Sequence, residues 1–216
     1  MPTDSAMPEP LPLILTLPGL DNSGPGHWQT VWEERREDCQ RVELGVWAQP
    51  HRNTWVNQLN LAIAAAERPV ILAAHSLGCL AVAWWAALER PAPGGKVRGA
   101  LLVAPPEVDH RRLDARVATF APTPRQPLPF RAILVGSRND PHMTLRSAEQ
   151  LARDWGCAFA DAGRVGHINA ESGLGDWAFG QFLLQQLLRS ALRDADGHRD
   201  VPRSPPAPRL LPELHP

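Results

Sequence analysis

The chain has 216 residues, 44% of them hydrophobic, which is enough for one buried core and predicts a single domain. Its formal net charge is −1 with scattered Lys and Arg residues, which excludes a basic nucleic-acid surface. Three cysteines lack metal-binding spacing and fit a reducing compartment, and the first apolar run, Leu13 to Leu17, is too short for a signal core or a membrane span. We therefore expect a cytoplasmic protein without metal, cofactor or membrane contact, and we leave open whether it is a monomer or a weak dimer.

Strand-like and helix-like segments alternate along most of the chain. Strands are predicted at Leu13–Leu17, Arg41–Val46, Val70–Ala73, Gly99–Val103, Ala132–Val135 and Ala158–Asp161. Helices are predicted at Gly26–Arg36, Thr54–Glu67, Leu77–Glu89, Thr144–Trp155 and Asp176–Arg193. This alternation predicts the α/β class, with a doubly wound, mostly parallel sheet of about six strands in the order 2-1-3-4-5-6, flanked by helices.

Two segments interrupt the alternation. Residues 105–129 contain charged and proline residues without a period, and we expect them to cross the mouth of the sheet as a substrate-facing flap or as a solvated connector. From about Asp194 the sequence is rich in proline and has too few apolar residues to pack. The prediction is thus one globular domain over 1–194 and a disordered tail over 195–216.

The stretch from Val70 to Leu88 passes from a buried-strand pattern directly into a helical pattern, with Ser76 at the junction. So sharp a turn strains the residue at its apex and raises its side chain above the sheet, as in the nucleophile elbow of G-x-S-x-G hydrolases. Ala74 and Gly78 are the small residues of this elbow, although the usual pattern has glycine at both places. Because short patterns of this kind occur by chance, the candidate nucleophile Ser76 needs support from the rest of the chain.

A serine nucleophile needs an imidazole to take its proton and a carboxylate to orient that imidazole. Asp140 lies in the loop after the predicted strand Ala132–Val135, at the edge of the sheet where ligands bind in such folds. His167 lies in a glycine-flanked loop after the last predicted strand. The order serine, acid, histidine is that of α/β hydrolases, so Ser76, Asp140 and His167 are predicted as nucleophile, acid and general base.

Alternatives to these assignments remain. Asp140 taken alone is equally typical of a turn cap, and His167 of a loop histidine bonded to backbone. Asp161 is a second candidate for the acid, since it directly precedes the histidine loop. His75 is expected to support the site structurally because neighbouring side chains in an elbow point apart, and His142 is too close to Asp140 in sequence to share the usual roles.

The oxyanion hole is predicted to use backbone N–H groups of Leu77, directly after the nucleophile, and of Leu20 in the loop after the first strand. Gly19 adjoins Leu20 and lets the backbone approach a substrate. A phosphate-binding loop is the alternative for this segment, but it lacks both G-x-G-x-x-G and a P-loop lysine. Gly19 is predicted to contact the substrate. His27 and Trp28 open the next helix and are predicted to contact the substrate as well, as aromatic walls around the serine.

Four blocks of the sequence resemble successive motifs of one known family: Pro18–Trp28, Ala74–Cys79, Gly136–Pro141 and Gly166–Gly173. The chain between Leu13 and Leu188 is similar to the small lidless serine hydrolases of the α/β-hydrolase superfamily, which include retinoblastoma-binding protein nine and many bacterial relatives. The resemblance implies a reduced α/β-hydrolase fold without a large lid. It also implies the roles of nucleophile, acid and base for Ser76, Asp140 and His167.

The function expected is cleavage of a small carboxylic ester, or of an amide or thioester, through an acyl-serine intermediate. Members of the family resemble carboxylesterases, but some serve in protein interactions. An alternative is therefore a binding or interaction protein on a hydrolase scaffold with little or no turnover. A third hypothesis is an enzyme of the same fold with other chemistry, such as a lyase or a haloperoxidase-like protein.

Overall fold

The computed structural model describes residues 11–109 and 114–195. In these ranges the strands are β1 (Leu13–Leu17), β2 (Cys39–Arg41), β3 (Val70–His75), β4 (Val97–Val103), β5 (Arg131–Gly136) and β6 (Ala158–Asp161). The α-helices are α1 (Trp28–Arg35), α2 (Arg52–Ala65), α3 (Leu77–Glu89), α4 (Leu145–Trp155) and α5 (Ala178–Ala195). None of these helices has the length and apolar character that crossing a membrane requires. Apart from Ala195, which ends α5, the predicted tail lies outside the described residues.

The described strands form one sheet in the order β2-β1-β3-β4-β5-β6, and every neighbouring pair is parallel. Trp55, Leu80 and Leu151, from α2, α3 and α4, belong to the hydrophobic cluster on one face of the sheet. Trp32 and Leu184, from α1 and α5, belong to the cluster on the other face. Because both faces are covered, β3 is buried along its whole length. The predicted doubly wound α/β architecture and strand order are confirmed.

The order of the strands reverses beside β1. The chain moves outward from β1 to β2 and then returns past β1 to form β3 on its other side. Loops that follow β1 and β3 therefore leave the sheet in opposite directions and open a crevice at its carboxyl edge, which is where ligands bind in doubly wound folds. Ser76 directly follows β3, and Gly19 lies shortly after β1.

The prediction for the second strand is wrong in its placement. Residues Arg41–Val46 alternate between apolar and polar, but the paired residues are Cys39–Arg41, which face β1 at the edge of the sheet. Val42 and Leu44 are buried because they pack into the cluster on the α2 side, without pairing as a strand. The other five predicted strands lie within the observed ones.

Candidate active site

Ser76 occupies a strained turn between β3 and α3, with φ 51° and ψ −123°. Residues other than glycine rarely adopt positive φ, so the turn has the geometry of a nucleophile elbow. The N–H of Ser76 donates to the carbonyl oxygen of Val103 at 2.9 Å and fixes the turn against β4. A Cβ on Gly78 would collide with the carbonyl oxygen of Leu17 and lie 2.7 Å from that of Pro18. This crowding explains why the elbow has glycine at position 78.

The structure brings Ser76, His167 and Asp140 into one hydrogen-bonded path. His167 Nδ1 lies 3.0 Å from both Asp140 carboxylate oxygens, and His167 Nε2 lies 2.9 Å from Ser76 Oγ. Since a carboxylate accepts, Nδ1 carries the hydrogen, and Nε2 is free to accept from the serine hydroxyl. The Asp140 side chain is 2% exposed and that of His167 11%, so the path is largely shielded from water.

Polar contacts tie together the two loops that carry Asp140 and His167. The Val165 N–H donates to Ser137 Oγ at 3.2 Å, and the Gly166 N–H donates to Asn139 Oδ1 at 2.9 Å. Asp140 Oδ1 also accepts the N–H of His142 at 2.9 Å, which orients the carboxylate. These bonds hold the acid loop and the histidine loop in one arrangement.

Asp161, the second candidate for the acid, has other partners. Its carboxylate accepts from Arg138 Nε at 2.7 Å and from the Gly163 N–H at 2.8 Å. These two hydrogen bonds, with the backbone donor contributing most, hold the pKa of Asp161 below its usual range. Asp161 is not among the residues that line the cavity above Ser76.

The predicted oxyanion donors belong to the loop after β1 and to the start of α3, which meet at Ser76. Leu77 is the first residue of α3, so its N–H has no partner within the helix. Leu20 lines the cavity in the loop after β1. Gly19, predicted to contact substrate, is buried against the nucleophile, where an added Cβ would be 2.7 Å from the Ser76 Cβ. The close approach of Gly19 to Ser76 positions the loop after β1, but Gly19 itself does not line the cavity.

A cavity of about 690 Å³ lies above Ser76. Part of the segment 105–129 forms its wall: Pro106, Glu107, Val108, Asp114, Arg116 and Val117. This segment therefore faces the site, as the flap alternative expected. Arg116 Nη1 lies 3.1 Å from Asp21 Oδ1, and Arg116 Nη2 lies 2.7 Å from Asp114 Oδ2, so the guanidinium joins the segment to the loop after β1. Sequence analysis missed Arg116 because no local motif marks it.

His27 lines the cavity, as predicted, and is 3% exposed. Its Nδ1 accepts the N–H of Gln29 at 3.2 Å and caps the start of α1. Within the described residues, its Nε2 has no hydrogen-bond partner. Burial, with smaller effects of Arg41 and His167, lowers the pKa of His27 to about 4, so the imidazole is neutral at pH 7.

The expectation that Trp28 forms an aromatic wall of the substrate site is corrected by the structure. Trp28 is 1% exposed and does not line the cavity. Its ring packs against Trp32, with ring centres 4.6 Å apart, and against Trp177, at 5.2 Å, in the core beneath the site. Its indole N–H donates to the carbonyl oxygen of Ile168 at 3.0 Å.

Two further histidines surround His167. His75 Nε2 lies 2.9 Å from the His167 carbonyl oxygen, and because a carbonyl only accepts, His75 is the donor. The His142 ring lies edge-on to the His167 ring, with centres 4.4 Å apart. Desolvation lowers the pKa of both His75 and His142, and repulsion from His167 lowers both further. The sequence motif contained His75, but only the fold shows which group it contacts.

A family model described as serine hydrolase matches residues 14–186 of the chain. Among solved structures, a YdeN-like hydrolase from Pectobacterium atrosepticum is 31% identical, with TM-score 0.73 over 84% of this chain and 92% of that one. The ydeN gene product of B. subtilis is 19% identical, with TM-score 0.65 over 82% of this chain and 99% of that one.

Est1E from Butyrivibrio proteoclasticus is 15% identical, with TM-score 0.57 over 83% of this chain and 90% of that one, and it shows the shared fold alone. A search of curated proteins finds no match. The family match and the 31% identical hydrolase agree with the predicted α/β-hydrolase architecture. The chain therefore belongs to the serine hydrolase family.

Proposed function

We propose that this hydrolase cleaves a small carboxylic ester through an acyl-Ser76 intermediate. The observation that carries the proposal is the hydrogen-bonded path from Ser76 Oγ through His167 to Asp140. In this path a serine hydroxyl meets an imidazole nitrogen placed to take its proton, and a buried carboxylate fixes the tautomer of that imidazole. Amides and thioesters react through the same intermediate and are the other candidate acyl donors.

In acylation, Ser76 Oγ attacks the carbonyl carbon of the ester while His167 Nε2 takes the hydroxyl proton. The bond from the carbonyl carbon to the leaving oxygen then breaks, and His167 returns the proton to the departing alcohol. Asp140 keeps its hydrogen bond to Nδ1 and stabilises the transient imidazolium. Ser76 is left holding the acyl group.

In deacylation, His167 Nε2 takes a proton from water as the water oxygen attacks the acyl carbon. The bond from that carbon to Ser76 Oγ then breaks, and His167 returns the proton to Oγ as the acid leaves. Both steps place negative charge on the former carbonyl oxygen. We assign the N–H groups of Leu77 and Leu20 to that oxygen, because Leu77 directly follows the nucleophile and Leu20 lines the cavity above it. The first of them also belongs to the N-terminus of α3, where the helix dipole favours negative charge.

The size of the cavity supports a small-molecule substrate. Its volume of about 690 Å³ lies inside the range of roughly 300–1,000 Å³ typical of small-molecule sites. The lining mixes apolar groups, such as Leu20, Val117 and Met143, with the candidate triad and with charged side chains of the segment 105–129. A small ester fits a cavity of this size.

The test is steady-state and burst kinetics with a series of p-nitrophenyl esters of increasing acyl length. The wild type should release p-nitrophenol in a burst and then turn over. Ser76→Ala should lower kcat by roughly 10⁴ to 10⁶ while the protein stays folded by circular dichroism. A folded wild type with neither burst nor turnover on any ester would contradict the proposal and favour the alternative of a binding protein.

A further inference from the structure

The residue after the candidate base is held in an unfavourable conformation. Ile168 has φ 53° and is completely buried, although a β-branched side chain is poorly accommodated in the left-handed region. Strain of this kind persists only where surrounding contacts over-determine the backbone. The contacts that impose it are therefore candidates for a role in placing His167.

Two rigid ring donors bind successive carbonyl groups at this point. His75 Nε2–H donates to the His167 oxygen at 2.9 Å, and Trp28 Nε1–H donates to the Ile168 oxygen at 3.0 Å. The donors come from different elements, the end of β3 and the start of α1. Together they fix both carbonyl groups, although the two donors are far apart in the sequence. One donor, His75, directly precedes the nucleophile Ser76.

Each donor is fixed in turn by its neighbours. The Trp28 ring is packed by Trp32 and Trp177, with ring centres 4.6 and 5.2 Å away. The His75 ring lies between those of His27 and His167, with centres 4.6 and 4.9 Å away. Because His75 is 5% exposed and Trp28 1%, both donors are largely shielded from water.

We propose that Trp28 and His75 are positioning residues that hold the backbone of His167 and Ile168 so that the imidazole reaches Ser76 Oγ. This inference rests on the proposed function, in which His167 is the general base. The position of Nε2 follows from the backbone below it, and proton transfer weakens steeply when the reacting groups are displaced by about 1 Å. Loss of the hydrogen bond from Trp28 or from His75 should therefore lower kcat. Trp28 does not line the cavity, so its loss should leave KM unchanged.

Trp32 supplies a matched control. It lies on the same helix, is completely buried, and donates its indole N–H to the Asp176 carbonyl oxygen at 2.9 Å. Trp28→Phe and Trp32→Phe thus each remove one indole hydrogen bond to a backbone carbonyl and retain an aromatic ring. The ring retained in Trp32→Phe still packs against Trp28, so only the first change releases the histidine loop.

The experiment compares kcat, KM and melting temperature of these two variants with the wild type on an ester that the wild type hydrolyses. Trp28→Phe should lower kcat by roughly 10- to 100-fold with KM within about twofold, as expected for a displaced catalytic group. Trp32→Phe should keep kcat within about twofold, although both variants melt earlier by similar amounts. Equal kcat for both variants, whether wild-type or reduced, would overturn the inference.

A second pair of variants tests His75. His75→Gln keeps a side-chain N–H donor, whereas His75→Leu does not. The glutamine variant should recover part of the kcat that the leucine variant loses, and equal loss in both contradicts the role of the donor. If these variants do not fold, the tryptophan pair decides alone. Wild-type turnover with a fully active Trp28→Phe contradicts this inference only, whereas an inactive wild type contradicts the proposed function as well.

Discussion

Gly19 faces Ser76 so closely that a Cβ at position 19 would lie 2.7 Å from the Ser76 Cβ and 3.2 Å from its Oγ. The same Cβ would lie 3.2 Å from the Leu77 nitrogen, one of the assigned oxyanion donors. The loop after β1 and the elbow after β3 thus meet at a glycine because no side chain fits between them. This contact brings the two halves of the assigned oxyanion hole together.

Gly19→Ala should therefore lower kcat by about 10²-fold, the usual cost of misplacing one oxyanion donor, through displacement of Ser76 or of Leu20. Ester hydrolysis measured beside the melting temperature separates this effect from unfolding. Gly24→Ala is the control in the same loop, since a Cβ there meets nothing within 4 Å. Similar activity of the two variants would show that the close approach does not matter.

Gly78→Ala should destabilise the fold. The added Cβ would collide with the Leu17 carbonyl oxygen and lie 2.7 Å from that of Pro18, and neither backbone group can move without shifting β1. We expect a loss in the free energy of unfolding of about 2 kcal/mol or more, as for overpacking in a core. Urea denaturation checks this, and an unchanged midpoint would mean that helix α3 moves freely away from the strand.

Substitution of Asp140 should affect activity far more than substitution of Asp161. Asp140→Asn should lower kcat by about 10⁴-fold, because an amide no longer holds His167 Nδ1 as the donor. Asp161→Asn loses an exposed contact to Arg138 and should keep kcat within about threefold. The measurement is kcat of both variants on the same ester. A larger loss in Asp161→Asn than in Asp140→Asn would assign the role of the acid to Asp161.

His27 should make the protein sensitive to acid. Its pKa is about 4 in the folded protein against an ordinary 6.5, so between these values the unfolded chain binds more protons. Stability is therefore lost as pH falls from 6.5 to 4, by roughly 3 kcal/mol from this residue. The loss from this residue is complete once the pH is below the folded value.

His27→Asn removes this titration and retains a side chain that caps helices well. The wild type should lose roughly 3 kcal/mol more than this variant between pH 7 and pH 4, by urea denaturation at each pH. Parallel pH dependence of the two proteins would show that His27 takes up its proton without penalty in the folded state.

Most of the sheet could be predicted because its central strands are buried on both faces and appear as continuous apolar runs, as in Val70 to Ala73. The edge strand β2 could not. Its residues Cys39–Arg41 carry little apolar character, and they form a strand only because β1 offers unpaired backbone groups. The apolar and polar residues that alternate after β2 do so because Val42 and Leu44 are buried in the core. An alternating pattern alone does not distinguish such burial from strand pairing.

In the site, order and loop position along the chain were enough to select the three residues that the structure brings together. The partners that hold them were beyond sequence reasoning, because they depend on contacts across the sheet. Trp28 shows this: its place at the start of a helix suggested a substrate wall, whereas packing against Trp32 turns its indole N–H toward Ile168. Arg116 became a cavity residue only through the path of the segment 105–129.

The proposed function depends on Ser76 as a nucleophile that His167 activates. Mass spectrometry of the protein treated with a fluorophosphonate, followed by peptide mapping, tests this assignment. We expect one phosphonyl group per chain, on the peptide and residue of Ser76, with no label in Ser76→Ala and much slower labelling in His167→Ala. A folded wild type that stays unlabelled, or that carries the group on another residue, would contradict it.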